Sequence, residues 1–135
     1  MPARHWLIKS EPAAYAWDDL VREGETLWDG IRNHRAANNL RAMKKGDRAF
    51  FYHSVTGKEI VGIAEISEGG LADPKDGVWA AVRIKPVRAL KRPVTLAEIK
   101  ADKSLAEIEL VRLSRLSVAE IRPEEWERIC SLASI

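Results

Sequence analysis

Apolar positions along the chain fall into short runs separated by turn residues, and the period of each run predicts an element. Arg4 to Lys9 (RHWLIK) reads as a first strand with Trp6, Leu7 and Ile8 at its centre. Ser10-Glu11-Pro12 stops it, because Pro12 has no backbone donor and restricts Glu11. Tyr15 to Arg22 shows a short helical pattern closed by Gly24, and Trp28-Asp29-Gly30 reads as a turn. Asn33 to Lys45 is predicted helical: Ala36, Ala37, Leu40 and Met43 make its apolar stripe, and Gly46 sits where a C-terminal cap belongs.

The middle of the chain switches to strand patterns. Arg48 to Ser54 (RAFFYHS) is dense in aromatics, and Thr56-Gly57-Lys58 turns it into Ile60 to Ile66 (IVGIAEI). Gly69-Gly70 and Asp73-Pro74 mark a loop, followed by a long strand from Val78 to Val87. Thr95 to Glu98 and Ser104 to Glu107 both match a capping box and predict short helices. Arg115 to Ile121 is a candidate last strand. Pro123-Glu124-Glu125 opens a terminal helix, with acids that complement its dipole and Trp126, Ile129, Cys130 and Ala133 on one face. Strands cluster in the middle and helices lie at both ends. The predicted class is therefore α+β, a strongly curved sheet or small pseudo-barrel with short helices packed on it, rather than a doubly wound sheet.

Composition narrows the options. The 135 residues are 46% apolar and 31% charged, which fits one globular domain and excludes a disordered chain. No apolar run approaches the roughly 20 residues of a membrane span, and no long apolar stretch of the signal-peptide kind follows Met1. Cys130 is the only cysteine, so neither an internal disulfide nor a cysteine-cluster metal site is expected. A reducing cytosol is the expected location, or a nucleus in a eukaryote. Net charge is only +2, but it is unevenly placed. From Arg32 to Arg48 six basic residues face one acid, Asp47, a local +5 that leaves −3 on the remainder. Such a stretch is either a phosphate-backbone site or a solvated helix face.

Candidate chemistry is sparse. The chain contains no GxSxG elbow, Walker loop, GxGxxG or HExxH, and His5, His34 and His53 lack ligand-like spacing, so no metal is expected. Ser10 with Lys9 or His53 is the one conceivable nucleophile and base. Five tryptophans are many for this length. Trp17 and Trp126 lie on helix faces and read as core, whereas Trp6 and Trp79 could face the core or a pocket. Trp28 stands apart, in a turn just before the basic helix, where an indole can wall a pocket for a planar ligand. Asn33, Asn38 and Asn39 are costly in one helix; Asn33 is either its N-cap or, like the others, an amide that reads a base edge. In the run from Phe50 to Ser54, alternation places Tyr52 and Ser54 on one side and His53 on the other.

Four blocks together, HWLIKSEP (His5 to Pro12), WDGIRNHRAANNLRAMKKGDRAFFYHS (Trp28 to Ser54), IVGIAEI (Ile60 to Ile66) and RLSV (Arg115 to Val118), resemble the EVE domain family over essentially the whole chain. The resemblance implies a single PUA-like domain, a curved mixed sheet approaching a barrel with helices around it. EVE domains are related to YTH domains, which read N6-methyladenosine in RNA through an aromatic cage. Members are thought to bind modified bases, with modified cytosine in DNA a leading candidate. By position, Lys9 and Ser10 match the Lys-Ser pair that contacts the modified base in the YTH pattern. Trp28 matches the first cage tryptophan with Asp29 beside it, and Trp79 is the candidate for the later one. Asn33, Asn38 and Asn39 match the RNxxAxNN stretch of pocket and backbone contacts, and Tyr52, His53 and Ser54 the FYHS block at the pocket floor. An Asp29 carboxylate accepts from an exocyclic amine, which favours cytosine or adenine.

The reading that follows is a monomeric, non-catalytic module, needing no cofactor or metal, for nucleic acid (DNA or RNA) with a modified base. Trp28 walls the pocket, Lys9, Ser10, Asp29 and Asn33 hold the base edge, and Arg32, Arg35, Arg41 and Lys44 hold phosphates. The rivals are a small hydrolase of modified nucleosides, as in related ASCH domains, and a protein-interaction module.

Overall fold

The structure, a computed structural model, describes residues 3–135; Met1 and Pro2 lie outside it. Its elements are β1 (His5–Ser10), α1 (Trp17–Glu23), β2 (Thr26–Trp28), α2 (His34–Ala42), β3 (Arg48–His53), β4 (Glu59–Ala72), β5 (Ala80–Thr95), α3 (Leu96–Ala101), a 3-10 turn (Lys103–Leu105), α4 (Glu109–Arg112), β6 (Val118–Ile121) and α5 (Pro123–Leu132). The class is α+β, as expected. The six strands form one open sheet in the order β2-β5-β4-β3-β1-β6. β1 pairs in parallel with β3 and every other neighbour is antiparallel.

Two of the inner strands, β1 and β3, explain the core. In β1 the consecutive residues Trp6, Leu7 and Ile8 are all fully buried, and in β3 Phe50 and Phe51 are too, so both faces of the sheet centre are covered. Helix α2 packs on the neighbouring strands β4 and β5 and also on β6, which lies at the far edge of the sheet order. One helix can touch both regions only if the sheet curls around it. The bend comes from bulges between β4 and β5, one of them where Pro86 meets Ala64 without a donor to give to the ladder. The edges are three- and four-residue strands, β2 and β6, short enough to offer little template for mispairing. On the other side Trp17 lies so close to β4 that a side chain at Gly62 would start 2.6 Å from its ring. Trp17 is core, as its helix position predicted.

Several boundaries differ from the pattern-based expectation. Helix α2 stops at Ala42 rather than Lys45, because the Lys44 N–H bonds the Asp47 carboxylate at 3.1 Å instead of continuing the helix. Gly46, at φ 96°, belongs to the turn that follows and is not the cap. Gly69-Gly70 is strand, not loop. There β4 crosses the end of α2 so tightly that a Cβ on Gly69 would lie 2.5 Å from the Met43 carbonyl oxygen. Strand β5 starts at Ala80, two residues late, since Trp79 is held in the preceding turn by its N–H to the Asp76 carbonyl. It then runs past Val87 to Thr95. Trp28 is the last residue of a short strand rather than part of a turn. The Thr95/Glu98 capping box forms, with reciprocal bonds of 3.1 and 3.2 Å. The Ser104 box does not, because Asp102 takes the Ser104 N–H at 2.9 Å and leaves only a 3-10 turn. The last strand shortens to β6. The terminal helix forms as expected, with Trp126 half-buried and stacked on Phe50 at 3.8 Å.

Candidate nucleic-acid interface

The parallel pairing of β1 with β3 sets Lys9 beside Tyr52 and Ser10 beside His53. Because side chains alternate along a strand, the first pair looks toward one side of the sheet and the second toward the other. The expected division of Tyr52 and Ser54 from His53 is therefore found. The single pocket containing Lys9, Ser10 and all of Tyr52 to Ser54 is instead two surfaces meeting at the strand ends.

On the Ser10 side the site is aromatic. Trp28, half-buried, meets Tyr15 edge-on at 5.8 Å and Phe51 at 5.7 Å, and Phe51 in turn meets Trp17 and His53. Ser10 is buried and donates its hydroxyl to the Tyr15 carbonyl at 2.5 Å. His53 accepts the Trp17 N–H on Nε2 at 3.0 Å, so it caps α1. Burial lowers its pKa, which keeps that nitrogen an acceptor at neutral pH. Tyr15 donates its hydroxyl to Glu23, and burial first, then that carboxylate, push its pKa up to about 12. Ser10 and His53 are thus both engaged elsewhere, and Lys9 is turned away with its ammonium on the Ser114 carbonyl at 2.7 Å. The nucleophile and base imagined around Ser10 are not assembled.

Asp29 follows Trp28 and is exposed, with no side-chain hydrogen bond among the described residues. The loop it opens is fastened from a distance. Asp73, whose side chain is almost fully enclosed, accepts the Gly30 N–H at 2.9 Å, the Arg32 guanidinium at 2.9 Å and the Lys75 N–H at 2.8 Å. The Arg32 charge, ahead of the two N–H groups, holds its carboxyl well below the usual carboxylate range. The depressed value means the staple is complete above the ordinary carboxylate pKa of about 3.9 and is lost only as pH falls far below it. Trp79 completes the clasp: His34 stacks on it at 4.9 Å and the Arg32 guanidinium lies 5.5 Å from its ring. Trp79 is therefore a loop residue that locks the segment after Trp28. Asp73 was invisible as a site residue, since its partners lie 43 and 41 positions away and Asp-Pro reads locally as a turn. Replacing Asp73 with Ala is expected to speed amide exchange at Gly30 at least tenfold while β3 amides keep their protection. Unchanged exchange at Gly30 would show that the loop is held by other contacts.

The asparagines divide by role. Asn33 is the N-cap of α2, accepting the Ala36 N–H at 2.9 Å. Asn39 donates to the Val118 carbonyl at 2.7 Å and pins the helix to β6. Asn38 is exposed and accepts from Arg41 at 2.7 Å. Among the basic residues, Arg32 pairs with Asp73 and Arg35 with Glu109, while Arg41 reaches the Val78 carbonyl at 2.9 Å. Lys44 lines a shallow basic groove with Arg41, Lys45, Gly69 and Gly70. Among the described residues no group of three or more His, Cys, Asp or Glu is placed to hold a metal, and no helix is long and apolar enough to cross a membrane. Cys130 is half-buried, and burial pushes its thiol pKa up, consistent with a packing residue.

Known proteins share this architecture. A solution structure of Rpa0253 from Rhodopseudomonas palustris is 47% identical and superimposes with a TM-score of 0.94, covering 98% of this chain and 94% of that one. Human thymocyte nuclear protein 1 is 34% identical over 95% of this chain and 73% of its own length. A crystal structure of that human protein in complex with DNA containing 5-methylcytosine is 31% identical, with a TM-score of 0.89 over 98% of this chain and 99% of that one. An ASCH protein from Zymomonas mobilis, 16% identical at a TM-score of 0.59, shares the fold alone. Residues 4–132 match the EVE domain, and the chain belongs to the EVE domain family.

Proposed function

We propose that this chain is a DNA-binding module that reads a modified base, with 5-methylcytosine the first candidate. The observation that carries the reading is the human relative of the same fold, whose structure holds DNA containing 5-methylcytosine. The geometry supports it. A base turned out of its stack would lie against the indole of Trp28, beside the unpaired Asp29 carboxylate, with the amide of Asn33 at the loop end. Arg41 on α2 and Lys44 just beyond its end would meet the phosphates, and the exposed guanidinium groups of Arg32 and Arg35 could add to them. Extrusion costs a few kcal/mol, least from a single strand, so single-stranded DNA should bind more tightly than duplex.

The test is anisotropy with matched oligonucleotides, single-stranded and duplex, DNA and RNA, with cytosine, 5-methylcytosine or N6-methyladenine. A several-fold preference for methylated cytosine in DNA is expected. Equal affinity for all of them would reduce the protein to a backbone binder and reject the reading.

A further inference from the structure

The other side of the same strand ends holds a cleft of about 860 Å³ that the base-reading surface does not use. Four cations line it, Lys9 from β1, Lys58 from the β3–β4 turn, Lys100 from α3 and Arg115 before β6, against one carboxylate, Glu11. Residues distant in sequence have thus been gathered into one basic concavity. Three of its four cations are also uncommitted. Arginines elsewhere, such as Arg4, Arg92 and Arg128, face carboxylates. Lys58, Lys100 and Arg115 make no ion pair or side-chain hydrogen bond among the described residues. Lys9, half-buried on the floor, uses one of its three N–H groups on Ser114 and keeps the others. The rim is unusual as well. Val55 lines the cleft, is exposed, and holds φ at 68°, a left-handed conformation that a β-branched residue rarely adopts; Lys58 follows at 48°. Such backbone strain concentrates where a ligand is gripped. Clustered positive charge describes the ligand's anion, and the apolar side formed by Val55 and Val111 describes a body attached to it. The volume exceeds that needed by a bare phosphate and suits a nucleotide.

We infer that this cleft is a nucleotide-phosphate site, in which Lys9, Lys58, Lys100 and Arg115 hold the phosphate of a nucleotide whose sugar and base lie on the Val55 side. Two sources share that chemistry: the nucleotide next to the read base in the same DNA strand, and a free mononucleotide. The first source rests on the proposal that Trp28 walls the base pocket. It follows from the alternation of Lys9 and Ser10, consecutive residues that open onto the two surfaces.

The double substitution Lys100→Gln with Arg115→Gln tests it, since both side chains are exposed and removing them leaves the core intact. Single-stranded DNA should bind the double variant roughly tenfold more weakly, for methylated and plain cytosine alike. The slope of log affinity against log salt should fall by about 1.4, two phosphate contacts at about 0.7 each. Deoxycytidine monophosphate, titrated separately, reports the second source through amide shifts at Lys9, Ser54 and Ser114 that vanish in the double variant. A loss in either arm supports the site and identifies its source. Unchanged DNA affinity and salt slope, together with no nucleotide-dependent shifts, would overturn it. The base-reading proposal fails separately: if methylated and plain DNA bind the wild type equally but the double variant still weakens both, the cleft stands and the reader does not.

Discussion

Replacing Trp28 with alanine is expected to abolish the preference for methylated over plain cytosine. Stacking on an aromatic side chain is worth about 1–3 kcal/mol per base, or about 5- to 150-fold in affinity. That gain offsets most of the few kcal/mol that extruding a base costs. Without the indole the extruded state is no longer favoured, and what remains is contact with phosphates, which carries no base information. The variant should therefore bind methylated and plain DNA with the same weak affinity, and its salt dependence should be unchanged. Trp28 also packs on Phe51 and Tyr15, so some stability goes with it. Trp28→Phe guards against misreading that loss, because it keeps an aromatic face and should keep part of the preference. Discrimination by the alanine variant equal to that of the wild type would remove Trp28 from the pocket.

The largest effect on stability is expected at Asp47. Its side chain is buried and accepts three hydrogen bonds: from the Trp6 indole at 3.0 Å, the Arg4 N–H at 3.1 Å and the Lys44 N–H at 3.1 Å. It ties the start of β1 to the turn between α2 and β3. Asp47→Ala strands the indole N–H of Trp6, a residue with no solvent exposure at all. A buried donor left without a partner costs about 1–3 kcal/mol, and the two backbone groups add to that. A total of about 3 kcal/mol is a large part of the roughly 5–15 kcal/mol by which domains are stable. The melting temperature should fall by about 10 °C. Asp47→Asn, which keeps an acceptor for the indole, should lose less. Because the penalty lies in the orphaned donor, Trp6→Phe combined with Asp47→Ala should be less destabilising than the sum of the two changes. Urea unfolding of the four proteins measures this; a loss under about 1 kcal/mol for Asp47→Ala would show that water replaces the carboxylate.

Not every element was equally legible in the chain. The Thr95/Glu98 box, Pro123 at the start of α5 and the unbroken apolar runs of β1 and β3 act over three to six residues, and each forms where its pattern lies. The Ser104 box failed because a competing cap, Asp102, stood two residues earlier. The glycine pair in β4 misled because glycine signals two things, a turn or a close backbone approach, and only the neighbour at Met43 chooses between them. The same holds for Trp79, whose place depends on Arg32 and His34.

By itself, then, the sequence determined the α+β class, the positions of most strands and helices and the core faces, since these rest on local period and chemistry, and the match of four separate blocks carried the family resemblance. Tertiary structure alone decided which surface each of Lys9 and Ser10 opens onto. It also recruited Asp73 to hold the loop after Trp28 and brought Lys58, Lys100 and Arg115 to Lys9. Those facts depend on the register of β1 against β3 and on the curl of the sheet around α2, which join residues dozens of positions apart. No local pattern encodes such contacts, because the free energy that fixes them comes from burying the whole sheet at once.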